Sequence, residues 1–379
     1  MDSTVLAEII AQVAADEAFE RRLASCADPA ELAGVLTLTD GCTADWSRVL
    51  AEAAAVRDRP PLLHLDRAPP GQWLPVQIYG EGGTPRVEWL HFAFAPLDEP
   101  FFEQTMARVA AHPINLVLRC STSLDALRAF AGHSQPDGLV FHLSRCGSTL
   151  VGQMLGALDR VTVVSEPPVL DQAIKLFLDG VIPARMVQGM AGALLRQRFA
   201  ETTTRIVKLD SWHTLALPRI AELFPSAASL FLFRDPIEVL VSQTRRPGLH
   251  ARRGGVALES FGLDGAEAIA DRDYLAWVIA SIARAGLEAE PTERLALCDY
   301  AELPQALETR ILPHFGIEPD AAGRTALAAA ARRNAKQPRA IFVPDAAAKQ
   351  AAADAELRSR ALAQGLPALY VELKRRAAA

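Results

Sequence analysis

The sequence predicts an α/β protein: a mostly parallel β-sheet flanked by helices, preceded by an α-helical segment and an α+β accessory region. Three observations predict it. From Pro136 onward, short apolar runs alternate with helical patterns, the order that βαβ units require. Between Leu139 and Leu150 an apolar run ends in a tight polar turn that opens straight into an apolar-periodic segment, so strand, loop and helix follow one another. Before Pro136 the pattern differs, with helical periodicity first and then a Pro-rich stretch carrying Trp73 and Trp89. The expected organisation is a helical region over 1–58, an accessory α+β region over 59–135, the sheet domain over 136–345 and a helical tail over 346–379.

Taken in order, Val5, Leu6, Ile9, Ile10 and Val13 share one helical face, and Asp16 to Leu23 continue the pattern. Asp28-Pro29 starts a third helix, Asp45 opens a fourth, and Arg59-Pro60-Pro61 stops it. Trp89-Leu-His-Phe-Ala-Phe alternates as a strand, Phe101 to Val109 reads as a helix, and Leu116-Val-Leu-Arg is a second short apolar run. Ser123 is placed to cap a helix through Phe130. His64, His91 and His112 stand singly and read as structural. Strands are expected over 138–143, 161–164, 204–209, 228–233 and 294–298. Residues 245–272 are too polar and Gly-rich for an element and long enough for a lid. The Ala-rich tail is helical, interrupted near Gly365 and Pro367.

Composition excludes several classes. Hydrophobic residues make up 50% of the 379 and charged ones 22%, with a net charge of −6, so no basic field argues for nucleic acid or an anionic membrane. Five Cys (26, 42, 120, 146 and 298) lack any C-x-x-C pair, which suggests neither a disulfide framework nor a zinc site. No basic start leads into an apolar signal region, and no apolar run reaches membrane length. These features read as a reduced, cytoplasmic protein without a membrane span.

The turn after the first strand of the sheet domain is Ser144-Arg145-Cys146-Gly147-Ser148-Thr149-Leu150. A loop placed there aims backbone N–H groups, and the positive end of the helix dipole, at an anion in front of it. Gly147 permits close approach, Ser148 and Thr149 add hydroxyls, and Arg145 adds a charge. The common triphosphate loop, G-x-x-x-x-G-K-[ST], is not matched. Ser148 stands where its Lys belongs, His142 where its first Gly belongs, and the cation has moved to Arg145.

Three further stretches fit an anion site. Glu166 follows the second strand in Ser165-Glu166-Pro167-Pro168, as a general base or as a carboxylate stabilising a helix N-terminus. Lys208 lies inside the apolar third strand, where a lone ammonium is costly, so an anionic partner is expected. His213 follows it, as a base or as a packing residue. Arg234-Asp235-Pro236 ends the fourth strand, and Ser242 stands about two turns into the next helix. This reads as a second anion site or as a plain helix start.

Together, over roughly 138–245, these motifs resemble the sulfotransferase family that uses 3′-phosphoadenosine 5′-phosphosulfate (PAPS). The branch they resemble is that of tyrosylprotein sulfotransferases and their bacterial relatives. Leu297-Cys-Asp299-Tyr300-Ala-Glu302-Leu303 is similar to the family's Tyr-Glu-x-Leu element. The resemblance implies a P-loop nucleotide-kinase-like fold and in-line transfer of a sulfuryl group to a hydroxyl or amine of a small-molecule or peptide acceptor, without a metal. It implies that residues 144–150 hold the donor, that Arg145 and Lys208 stabilise developing charge, and that Glu166 is the base with His213 as alternative. Arg234 and Ser242 would take the 3′-phosphate. Cys146 and Ser148 depart from the usual Ser and Thr; Cys146 is a reactive thiolate or merely a small residue. The late Arg-Lys-Gly element is missing, with Lys336 and Arg339 as substitutes. The N-terminus resembles the Nif11-like leader domain in its helix order, Asp-Glu-Ala-Phe and Gly41, with a plain amphipathic bundle as the alternative. Two rival functions remain: a metal-dependent P-loop phosphotransferase using Asp210, and a non-catalytic nucleotide-binding module.

Overall fold

The computed structural model describes residues 3–37, 45–55, 63–289, 294–334, 337–341 and 345–378. Cys42, Gly41, Arg59-Pro60-Pro61, Lys336 and the side chain of Arg339 lie outside what is described. The chain forms two compact units, 1–134 with 167–173 and 182–200, and 135–166 with 174–181 and 201–379.

The first unit begins with helices α1 (Ser3–Ala15), α2 (Glu17–Ala24), α3 (Pro29–Thr37) and α4 (Trp46–Ala55). Asp16 caps α2 by accepting the N–H groups of Ala18 and Phe19, and Asp28 and Asp45 open α3 and α4 in the same way. Strands β1 (Leu63–Leu65), β2 (Trp73–Glu81), β3 (Thr84–His91) and β4 (Cys120–Ser123) make a sheet in the order β1-β4-β3-β2, with α5 (Phe102–Ala110) following β3. The expected strand through Phe94 stops at His91, because Ala93 and Phe94 turn left-handed at φ 48° and 57°. The apolar run at Leu116 is no strand; it ends a 3₁₀ turn, Pro113–Leu116, and pairing starts at Cys120. Leu124–Phe130 is a 3₁₀ helix to which Ser123 contributes no side-chain cap. The three histidines are structural: His91 is buried on Glu20, His64 bonds Ser121, and His112 accepts the Ile114 N–H.

The second unit is built on five parallel strands, β5 (Gly138–His142), β6 (Val161–Ser165), β7 (Thr204–Lys208), β8 (Ala228–Phe233) and β9 (Leu295–Asp299), in the order β6-β7-β5-β8-β9. Each lies within a residue or two of the run the sequence marks. Their apolar side chains are buried along most of each strand, as expected for strands covered on both faces. Helices α6 (Ser148–Leu155), α9 (Leu217–Leu223), α10 (Pro236–Arg245) and α11 (Asp271–Glu288) follow strands of this unit or their connections, whereas α7 (Pro168–Leu178) starts in the first unit and ends in the second, and α8 (Ala184–Leu194) belongs to the first. A π-helical turn, Leu307–Ile311, leads into the short α12 (Leu312–His314), then α13 (Ala321–Ala331). The tail holds α14 (Ala346–Ala352), α15 (Ala355–Ala363) and α16 (Leu366–Ala377), the last break falling at Gly365 as the sequence indicates. Between the end of α10 at Arg245 and the start of α11 at Asp271 the chain carries only three short 3₁₀ turns.

The order places β5, the first strand of this sheet, at its centre. The chain moves to one side for β6 and β7 and crosses to the other for β8 and β9. That reversal is a topological switch point, and ligands in such sheets bind beyond the carboxyl ends of the strands there.

Candidate active site

The loop after β5 is the stretch expected to form an anion cradle. Ser144, Arg145 and Gly147 in it are left-handed at φ 70°, 51° and 84°. Gly147 is required twice over, since a Cβ there would sit 2.7 Å from Tyr300 Cδ2 in addition to the positive φ. α6 opens at Ser148, and Val151 N–H returns to Gly147 O at 3.0 Å. The N–H groups of Ser148, Thr149 and Leu150, in the first turn, are therefore left without intrahelical acceptors. Arg145 is half-buried and donates to the carbonyl of Arg246. Cys146 is buried, 3.2 Å from Leu232 O, and burial pushes its thiol up to about 11. It is a small packing residue, not a thiolate.

Lys208 and Glu166 meet beside this loop. Strand register brings them together: Lys208 is level with Val140 of β5 on one side and with Ser165 of β6 on the other. Glu166, the next residue after Ser165, donates its N–H to Lys208 O at 2.7 Å and is held left-handed at φ 49°. Its carboxylate accepts directly from Lys208 Nζ. Lys208 is 0% exposed and Glu166 22%, so the anionic partner expected for the strand lysine is the residue expected to be the base.

His142, which ends β5, is the third member, and no role was expected for it. Its Nδ1 accepts the Ser144 N–H at 3.1 Å, so the ring proton is on Nε2, 2.9 Å from Leu209 O and 3.4 Å from Glu166 Oε1. Burial lowers its pKa and keeps it neutral. One imidazole thus touches both the cradle and the carboxylate. The only clue in the sequence was a polar residue closing an apolar strand immediately before the loop. Burial by itself would raise the Glu166 pKa, but Lys208 and His142 outweigh it and hold the carboxyl well below the usual range.

The second anion site takes a different form from the one expected. Arg234 is buried, with Nε 2.6 Å from Glu238 Oε2, one terminal nitrogen 2.7 Å from Asp345 Oδ1, and its guanidinium 3.9 Å above the Tyr300 ring. Its other terminal nitrogen reaches the Arg145 carbonyl at 3.4 Å, so it also supports the cradle. Ser242 lies half-buried on α10, and no hydrogen bond joins it to Arg234 among the described residues. The anions on Arg234 are carboxylates of the chain itself, one of them at the start of the tail.

His213 is buried in the 3₁₀ turn Ser211–Ala216, its Nδ1 accepting the Asp210 N–H at 3.1 Å and its ring 5.5 Å from that of Phe261. A further network, absent from the sequence reading, ties the cradle to residues 245–272. Gln243 Nε2 is 2.9 Å from Ser144 Oγ and 3.2 Å from His250 Nε2, while its Oε1 accepts the Gly248 N–H at 2.7 Å.

No family model matches the chain, and no curated protein does. Among solved structures it is similar to sulfotransferase STF9 from Mycobacterium avium, at 13% identity and TM-score 0.36 over 52% of this chain and 67% of that one. It is similar to the sulfotransferase domain of the curacin biosynthetic pathway, at 14% and 0.36 over 61% and 98%. A third is the sulfotransferase domain of the Synechococcus PCC 7002 olefin synthase, at 18% and 0.35 over 61% and 95%. The likeness is low in identity and in TM-score, so the chemistry of the site rests on its own residues. No described helix is long and apolar enough to cross a membrane.

Proposed function

We propose that the protein is a sulfotransferase that moves a sulfuryl group from PAPS to a hydroxyl or amine of a small-molecule or peptide acceptor. The observation that carries this reading is the meeting, at the carboxyl ends of β5, β6 and β7, of an anion cradle, a buried lysine and a carboxylate. PAPS, when bound, supplies an activated sulfuryl group on a phosphate leaving group. The cradle N–H groups, Arg145 and Lys208 are the donors for charge that grows on the leaving phosphate and the sulfuryl oxygens. Glu166 takes the acceptor proton. The acceptor oxygen or nitrogen bonds sulfur as the sulfur–oxygen bond to phosphate breaks, the electron pair leaving with the phosphate. Arg234 is the group in this reading for the 3′-phosphate, which would displace Asp345 from it.

A metal-dependent phosphotransferase is the weaker reading. Ser148 stands where that chemistry needs a lysine, and Asp210 turns its N–H onto His213. The deciding experiment is incubation with ³⁵S-labelled PAPS and an extract of the host cells, with and without EDTA. A labelled acceptor formed in both supports the proposal. Consumption of ATP that stops with EDTA, and no label from PAPS, would reverse the order of the two readings.

A further inference from the structure

A carboxylate locked to a buried lysine is poorly suited to both tasks assigned above. Paired with Lys208 and touched by His142, Glu166 is a weak base. Quenched by Glu166, Lys208 has little charge to offer an incoming oxyanion. Both deficits disappear if the lysine changes partner. Lys208 has the means, since an ammonium carries three donors on a flexible stem. Glu166 would not follow it, because its backbone N–H is tied to Lys208 O at 2.7 Å and its carboxylate stays within 3.4 Å of His142 Nε2.

We propose that the Glu166–Lys208 ion pair is a latch opened by the anionic donor, so that one movement of Lys208 both charges the donor site and switches on the base. The inference rests on the sulfotransferase reading and deepens it by giving the site an order of events. Without donor, Glu166 stands in for the missing anion and is silent as a base. When a phosphosulfate lies in the cradle, Lys208 turns its N–H groups to the donor oxygens. Glu166 then keeps only the neutral Nε2–H of His142, which β5 supplies. The remaining groups that act on it are Arg145 from the cradle and His250 from residues 245–272, the latter held neutral by burial at a pKa of about 4. Freed of the ammonium, the carboxylate regains ordinary basicity and accepts the acceptor proton as the new bond to sulfur forms. Lys208 is by then on the oxygens where charge is growing. The device keeps the base idle while no donor is present.

The test is calorimetric titration of PAPS, and separately of inorganic sulfate, into wild-type protein, Glu166→Gln and the double variant Glu166→Gln/Lys208→Met, with no acceptor present. The neutral amide competes poorly for Lys208, so Glu166→Gln should bind PAPS about tenfold more tightly than wild type. The double variant should lose that gain. Equal or weaker PAPS binding by Glu166→Gln, or a gain that persists without Lys208, overturns the latch while leaving the sulfotransferase reading standing. If no variant binds PAPS but Glu166→Gln binds sulfate more tightly, the latch stands and the PAPS reading falls. If neither probe binds any of the three proteins, the latch falls too. A measurement on the wild type covers the case in which Glu166→Gln does not fold. In glutamate-¹³C-labelled protein the Glu166 carboxyl should titrate at higher pH once PAPS is bound. An unchanged titration overturns the proposal.

Discussion

Replacing Glu166 by leucine should destabilise the protein by about 3–5 kcal/mol, because it takes away the carboxylate that accepts from the buried Lys208 ammonium. The magnitude follows from the surroundings of the pair. Lys208 is 0% exposed, and leucine can neither compensate its charge nor accept its hydrogen bond. Glu166 is itself 22% exposed, so part of its attraction is screened and the expected value lies toward about 3 kcal/mol. At roughly 2–4 °C per kcal/mol, the melting temperature should fall by about 6–12 °C. Glu166→Leu/Lys208→Met leaves neither charge and should recover to within about 1 kcal/mol of wild type. Thermal and urea unfolding of the three proteins at pH 7 measures both quantities. The reasoning is refuted if the single variant lies within 1 kcal/mol of wild type, or if the double variant is no more stable than the single. The acid limb checks the same pair. The folded pKa of Glu166 is depressed, so its contribution is present above about pH 4.3 and is lost as pH falls from there through the folded value. Wild type should therefore show a loss of stability below pH 4 that the double variant largely lacks.

Three further outcomes are expected. Asp345→Asn should tighten 3′,5′-diphosphoadenosine binding by about fivefold, the equivalent of roughly 1 kcal/mol for a half-exposed competitor, and leave 5′-AMP unchanged. Calorimetry of both nucleotides checks this, and equal gains for the two would remove Arg234 from the 3′-phosphate. Gly147→Ala should abolish measurable PAPS binding and cost more than about 1 kcal/mol, since both its φ of 84° and Tyr300 oppose a side chain; wild-type affinity in that variant would contradict the cradle geometry. Cys146 should resist iodoacetamide in the native protein at pH 7.5 and react only after unfolding, with mass spectrometry as the readout, because it is buried with its thiol pushed up to about 11.

By itself the sequence determined the sheet and the position of the cradle. Apolar runs of strand length separated by helical periodicity leave little choice but parallel βαβ units, and the strand–loop–helix order at 139–150 puts an anion site at a carboxyl edge. It also determined that Lys208 needs an anion, since a charge within an apolar strand imposes that requirement whatever the fold. It could not name the anion. Glu166 was expected to face the Arg145 loop, yet register sets Ser165 level with Lys208, so its carboxylate falls on the lysine. The same limit hid the partners of Arg234. Glu238 is one helical turn along α10, but Asp345 arrives from the tail through long-range folding. The left-handed backbone at Ser144, Arg145 and Glu166 was invisible too, because residue types that normally avoid positive φ hold it here only against their surroundings. Periodicity reports which side chains must be buried; which groups then meet is decided by strand register and chain crossing, and those belong to the tertiary structure.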